Sequence, residues 1–309
     1  LLVCGVTGCV MEPEPTLRLG TNVWPGYAPL YLAHVLHPAD TLPLHLVEYQ
    51  SSTEVLRAFR NNAIDAAALT LDEAMLLAES GEDPRILLVL DVSMGADALI
   101  ARGAVKNLRA IKGRRVGVEN GAVGAYMLSR ALQAAGLDMR EVHIVPLTVA
   151  EHEDAFARGT VDAVITFEPV RTRLLARGGR SLFDSEQIPG EIVDVLVVRK
   201  SFLDHHPVVV RNVLRAWFRS LDHYRTQPAA ALPPMAAFLG LTETETQRAL
   251  AGMHLPDFKE NLVLLAGTSP TLGVPAQRLS ALMLQQQLLY RPVETAGLFH
   301  SATLESLAP

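Results

Sequence analysis

Apolar and polar positions along this chain follow two periods in turn, and the switches between them divide it into short segments. Residues 17–23 alternate apolar with polar and predict a strand. Residues 30–36 read as a short apolar helix and 44–49 as a second strand. Ser51-Ser52-Thr53-Glu54 matches a capping box: Ser51 can cap a helix start while Glu54 reaches back to it. That helix is expected to run to about Asn62, and 64–70 is an apolar strand. Thr70-Leu71-Asp72-Glu73 is a second box, opening a helix to about Ser80, and 85–91 is a further strand.

After Ser93-Met94-Gly95-Ala96-Asp97 the same grammar repeats. Strands are expected at 115–119, 142–146, 161–167 and 194–198. Between them lie a turn and long helix at 121–136, a helix at 151–158 and a helix ending at 174–178. From Pro207 onward the pattern is helical, over 208–224, 229–239, 243–253 and 277–289. Strands alternating with helices predict an α/β, doubly wound architecture with mostly parallel sheets. Two strand–helix sets and a helical C-terminal segment predict two lobes. In such sheets ligands bind beyond the carboxyl ends of strands, where loops meet helix starts. The loops at 24–27, 51–53, 70–73, 93–97, 121–124 and 167–169 all fall there.

A length of 309 residues with 49% hydrophobic content allows a large core and about two domains. The formal net charge of −6 leaves no basic stripe, so nucleic acid is not an expected partner. No apolar run approaches the ~20 residues that span a bilayer. The two cysteines, Cys4 and Cys9, both precede the body, which therefore has no disulfide framework or CxxC knuckle. His152-Glu153-Asp154 and His205-His206 chelate poorly, because adjacent helical side chains point apart. No metal and no cofactor is expected. GxSxG and HExxH are absent, and the glycines at 121 and 124 lack the lysine of a P-loop.

Val6-Thr7-Gly8-Cys9 closes an apolar N-terminus and precedes the spacer Met11-Glu12-Pro13-Glu14-Pro15. An aliphatic residue, Thr, Gly and Cys resemble a bacterial lipobox, with Cys9 as the lipidation site. Leu1-Leu2-Val3 has no Met or basic residue before it and reads as the interior of a signal peptide. Residues 1–16 are then a signal remnant, lipobox and linker. The alternative is a frayed apolar tail or edge strand.

An ordered series of motifs carries a further likeness: Trp24-Pro25-Gly26-Tyr27, Asn61-Asn62-Ala63-Ile64-Asp65-Ala66, Asp91 through Asp97, Leu108 with Lys112 through Val118, and Gly159-Thr160-Val161-Asp162-Ala163. Over roughly 17–225 the chain resembles solute-binding proteins of ABC importers, in the nitrate/sulfonate/taurine group that includes thiamine-precursor binders. The resemblance implies a two-lobed type II periplasmic-binding fold. Residues 17–97 and 196–309 would form lobe 1, and 98–195 lobe 2, with crossover strands near 96–101 and 194–198. It implies a small-molecule ligand held between lobes that close by a hinge. It also implies a membrane-embedded ABC permease as partner, a periplasmic or cell-surface location, a monomer and no catalysis. A sensor for a signalling partner, or an enzyme on this fold related to pyrimidine synthases, are the alternatives.

The positions where that group contacts ligand map onto four stretches here: Trp24 and Tyr27; Ser51 and Ser52; Ser93, Gly95 and Asp97; and Gly121, Ala122 and Gly124. Thr70, Asp72, Glu119, Phe167, Glu168 and Asp194 join them from the strand ends. Trp24 and Tyr27 can stack on a flat ligand or face a cation, although Trp24 could equally pack the sheet edge. The 121–124 turn offers free N–H groups to an anion, or is merely a tight turn. Asp72, Glu73, Asp91, Asp97, Glu119, Glu168 and Asp194 put many acids at the loop ends, against few bases, chiefly Arg171. Some have local explanations, such as helix capping for Glu73. The balance still points to a nitrogenous, cationic or amide-type ligand rather than a bare oxyanion.

Overall fold

The computed structural model describes residues 15–37, 42–119, 123–267 and 270–308. Cys9 and the rest of the lipobox, Gly121 and Ala122 lie outside the described residues. In chain order the fold begins β1 (Leu17–Thr21), α1 (Ala28–Leu36), β2 (Leu44–Glu48), α2 (Ser52–Arg60), β3 (Ala66–Thr70), α3 (Leu71–Glu79) and β4 (Pro84–Ser93). It continues β5 (Asp97–Ala101), β6 (Arg115–Val118), α4 (Val123–Ala135), β7 (His143–Pro146), α5 (His152–Arg158), β8 (Ala163–Phe167), α6 (Val170–Ala176) and β9 (Arg180–Asp184). The last part is β10 (Val193–Arg199), α7 (Lys200–His205), α8 (Pro207–Thr226), α9 (Pro228–Leu239), α10 (Glu243–Ala251), β11 (Met253–His254), α11 (Phe258–Leu265), α12 (Gly273–Gln285) and α13 (Ala302–Glu305).

The strands form two sheets, in the orders β11-β4-β10-β3-β1-β2 and β7-β6-β8-β5-β9. Both are mixed. β10 runs antiparallel to its neighbours β3 and β4, and β11 is antiparallel to β4. β5 likewise opposes β8 and β9, while β6 is parallel to β7 and β8. β10 and β5 are the strands by which the chain arrives from the other sheet, so each enters its sheet against the prevailing direction. Asp97 opens β5 in the second sheet, and β10 joins the first sheet from Val193.

Local sequence explains the elements. β3 is buried at all five positions and reads as a continuous apolar run, as a central strand covered on both faces should. α2 buries Val55, Leu56, Ala58 and Phe59 and leaves Arg57 and Arg60 outside. The Ser51 box differs from expectation. Ser51 Oγ accepts from Glu54 N–H, but Glu54 returns to Gln50 N–H. The second box is built as read at its return arm: Glu73 Oε2 accepts Thr70 N–H at 3.0 Å.

The helix expected over 243–253 stops at Ala251. Gly252 O accepts Met94 N–H and Met253 pairs with Ser93, so this stretch becomes edge strand β11. β9 and α11 were not legible in the pattern. α11 supplies a buried Asn261, whose amide takes Val89 N–H at 2.7 Å and returns to Val89 O at 3.1 Å. That pair fastens the helical tail to β4. Ser93 Oγ and Ser185 Oγ sit 2.7 Å apart, and Gly95 N–H donates to Ser185, tying together the two segments that pass between the sheets. Gly95 has φ +104°, which a side chain would strain.

Candidate functional site

The carboxyl ends of the parallel strands in both sheets converge on one small cavity. Its lining is Asn22, Trp24, Tyr27, Ser52, Thr70, Asp97, Val123, Phe167 and Asp194. Asn22 follows β1 and Thr70 closes β3. Because β10 is reversed, its second residue, Asp194, lies opposite Thr70 at that same end. Asp97 and Phe167 face each other across β5 and β8. Ser52 and Val123 are the first residues of α2 and α4. The enclosed space is about 20 Å³, room for roughly one water molecule.

The first loop is fixed by acids behind it. Trp24 Nε1 donates to Asp91 Oδ2 at 2.9 Å, and Tyr27 OH donates to Asp194 Oδ1 at 2.5 Å. Gly26 lies so close that a Cβ there would stand 1.7 Å from Asp91 Oδ2. Trp24 meets Phe167 of the opposite sheet edge-on, with ring centroids 5.8 Å apart. Trp24 therefore both packs the sheet end and lines the cavity.

Seven carboxyl groups gather here with little to neutralise them: Asp72, Glu73, Asp91, Asp97, Glu119, Glu168 and Asp194 are each at most 5% exposed. Among the described residues, Arg171 is the one cation paired with any of them, 3.1 Å from Glu168. Burial pushes the Asp91 carboxyl up to about 8, with Asp97 adding repulsion. Burial lifts Asp97 to about 7, helped by Asp72 and Glu168. Glu73 rises to about 8 through burial and the Asp72 charge, and Asp72 to about 6 through burial. Asp194 is also held well above the carboxylate range, by burial and by Asp91 opposite it on β4. Asp97 Oδ2 has no hydrogen-bond partner among the described residues although it is buried at the cavity wall. Such an atom is costly unless something donates to it.

The expected site residues divide into groups. Trp24, Tyr27, Ser52, Thr70, Asp97, Phe167 and Asp194 line the cavity. Ser51 caps α2, Ser93 and Gly95 build the passage between the sheets, and Asp72 sits buried in the first turn of α3. Glu168 takes Thr172 N–H and Arg171. Glu119 binds Thr53 across the cleft, and Gly124 packs on the Glu119 backbone. Asn22 and Val123 also line the cavity. Their signal was position alone, one past a strand and one at a helix start.

A second, larger space of about 390 Å³ lies beside the first and shares Phe167 with it. It runs between the α5 and α6 region of one sheet and the end of α9 on the other. Arg173 of α6 donates to Leu239 O and Gly240 O, the carbonyls that end α9, at 3.5 and 3.3 Å.

Two sheets joined by two crossing segments, with strand ends and helix starts enclosing a cavity between them, define a two-lobed α/β fold of the periplasmic-binding class. The chain belongs to the NMT1-like family, whose profile matches residues 11–238. It is 26% identical over 185 residues to the taurine-binding periplasmic protein of Escherichia coli, covering 59% of this chain and 57% of that one. The match thus spans less than two thirds of that relative's length. The fold is similar to that of the alkanesulfonate-binding protein SsuA from Xanthomonas axonopodis pv. citri, solved bound to MOPS. The TM-score is 0.80 at 21% identity, over 94% of this chain and 100% of that one. It is also similar to the desulfurization enzyme DSZB, with TM-score 0.68 at 17% identity, over 95% and 98% of the two chains. The fold alone therefore accommodates both binders and enzymes.

Proposed function

We propose that this protein is an extracytoplasmic solute receptor that captures a small cationic, nitrogen-bearing molecule between its lobes and delivers it to an ABC importer. The observation that carries this reading is Asp97 Oδ2, buried and without a partner among the described residues, on a side chain that lines the cavity together with Asp194. An N–H donor bearing positive charge would satisfy that atom and offset its neighbours at once. The space suits an ammonium-sized head group, and the rest of a larger solute would need the lobes to part. A receptor role is supported by the binding proteins among the chain's relatives. Capture between lobes is supported by the family's binding relatives and by contacts that cross the cleft.

The membrane tether rests on Val6-Thr7-Gly8-Cys9. Cys9→Ser is expected to move the protein from the membrane fraction to the soluble one; unchanged partitioning would remove the anchor. The ligand class is tested by thermal shift with ethylamine and methanesulfonate, the two ends of taurine taken apart, alongside amidines, amides, pyrimidines and nitrate. A ligand specific to the folded form stabilises it by about 2.7 kcal/mol at a hundredfold excess over its Kd. Stabilisation by amines or amidines supports the reading. Stabilisation by methanesulfonate or nitrate alone overturns it.

A further inference from the structure

Two helix starts border the cavity, one from each lobe: Ser52 opens α2 and Val123 opens α4. Helix starts are ready-made seats for oxyanions, because free N–H groups point outward and the dipole favours negative charge. Here both seats are taken by the chain itself. Glu119, which follows β6, accepts Thr53 N–H of α2 at 3.1 Å and Thr53 Oγ–H at 2.7 Å through the same Oε1. In return Glu73 of α3 accepts Val123 N–H of α4 at 3.3 Å. Each lobe places a carboxyl oxygen on the other lobe's helix start.

These are not ordinary caps. A cap comes from a neighbour within about three residues in sequence, and α2 already has one in Ser51. Glu119 and Glu73 reach across 66 and 50 residues respectively. Both are almost fully buried. Glu73 is forced upward by burial and by Asp72 beside it, a cost that local capping does not require. The cavity that Ser52 and Val123 line also has Asp97 in its wall, whose Oδ2 is unpartnered among the described residues and would favour a donor over an acceptor.

We propose that Glu119 and Glu73 determine specificity: their side-chain oxygens fill the two helix starts, let the lobes close without an external oxyanion, and exclude sulfonates from the cleft. The proposal rests on the cation-receptor reading, but its readout is separate. Replacing each acid by its amide, which can turn an N–H toward an incoming oxyanion, should open the seats to one.

The test is calorimetric titration of methanesulfonate and sulfate into wild type, Glu119→Gln, Glu73→Gln and the double variant, each checked by circular dichroism. Ethylamine is titrated into wild type in parallel. Wild type is expected to give no oxyanion binding. Glu119→Gln should gain it, and the double variant should bind methanesulfonate at least about tenfold more tightly than either single variant. The proposal is overturned if wild type binds methanesulfonate as well as the variants do, or if folded Glu119→Gln gains nothing. Should the double variant fail to fold, Glu119→Gln alone decides, since Glu119 serves no capping box of its own. Oxyanion gain without ethylamine binding by wild type would keep this inference and defeat the cation reading. Ethylamine binding by wild type with no gain in the variants would do the reverse.

Discussion

Gly26 and Asp97 show how residues at one cavity answer to different demands. Gly26 is there for space: its backbone lies against Asp91, and a methyl group would collide with Asp91 Oδ2 and Trp24 Nε1. Gly26→Ala is expected to destabilise the fold by about 1–3 kcal/mol, the usual cost of overpacking a tight site. Urea denaturation checks this, and an unchanged midpoint would mean the loop yields freely. On the proposed reading Asp97 is there for a ligand. Asp97→Asn removes a buried charge, so the empty protein should melt higher at pH 8. Cation affinity should fall by about 1–3 kcal/mol, as when a hydrogen bond to a charged group is lost. Opposite signs for stability and binding mark a residue kept for function. A structural role would lower both. The acids were legible in the sequence because each stands near a strand end or a helix start. Their partners were not, since Tyr27 meets Asp194 across 167 residues and no local pattern encodes that.

At the scale of elements, the helices and buried strands were legible where periodicity was strong. β3, β8 and β10 are apolar runs, and the Thr70–Glu73 box marks the start of α3. The reversed direction of β5 and β10 was not legible, because an apolar strand buried on both faces reads alike either way. β9 and β11 were missed for another reason. β9 is a short strand of mixed polarity at a sheet edge and β11 spans two residues, so packing and pairing decide them. One contact between elements bears on closure. Arg173 of α6 places its charge on the carbonyls that end α9, where a cation is favoured, and pairs with Glu153 at 3.1 Å. It is about a third exposed, so its worth to global stability is small. Arg173→Ala is expected to leave the thermal midpoint nearly unchanged. It should open the ligand-free molecule, seen as a larger radius of gyration in small-angle scattering. An unchanged radius would mean that Arg173 does not hold the lobes together.

The whole molecule carries an excess of buried acid, and that sets its response to pH. Asp72, Glu73, Asp91 and Asp97 stand at about 6 to 8 in the fold, above their ordinary values near 4. Between about pH 4 and 8 the folded chain therefore holds protons that the unfolded chain has released. Stability must fall as pH rises across that window and level off above it. Thermal midpoints of the empty protein from pH 5 to 8.5 are expected to decline, and a rise would show that these groups ionise freely. A bound cation favours the ionised carboxylates, so its affinity should run the other way and strengthen from pH 6 to 8. The family relationship and the fold do not fix this sign, because the same architecture serves the sulfonate binder SsuA. On the proposed reading the cavity's own residues set it. The most direct measurement is calorimetric titration of ethylamine and of methanesulfonate into the wild-type protein at pH 6 and pH 8. The account requires that ethylamine binds, more tightly at pH 8, and that methanesulfonate does not. Binding of methanesulfonate with no binding of ethylamine would contradict it.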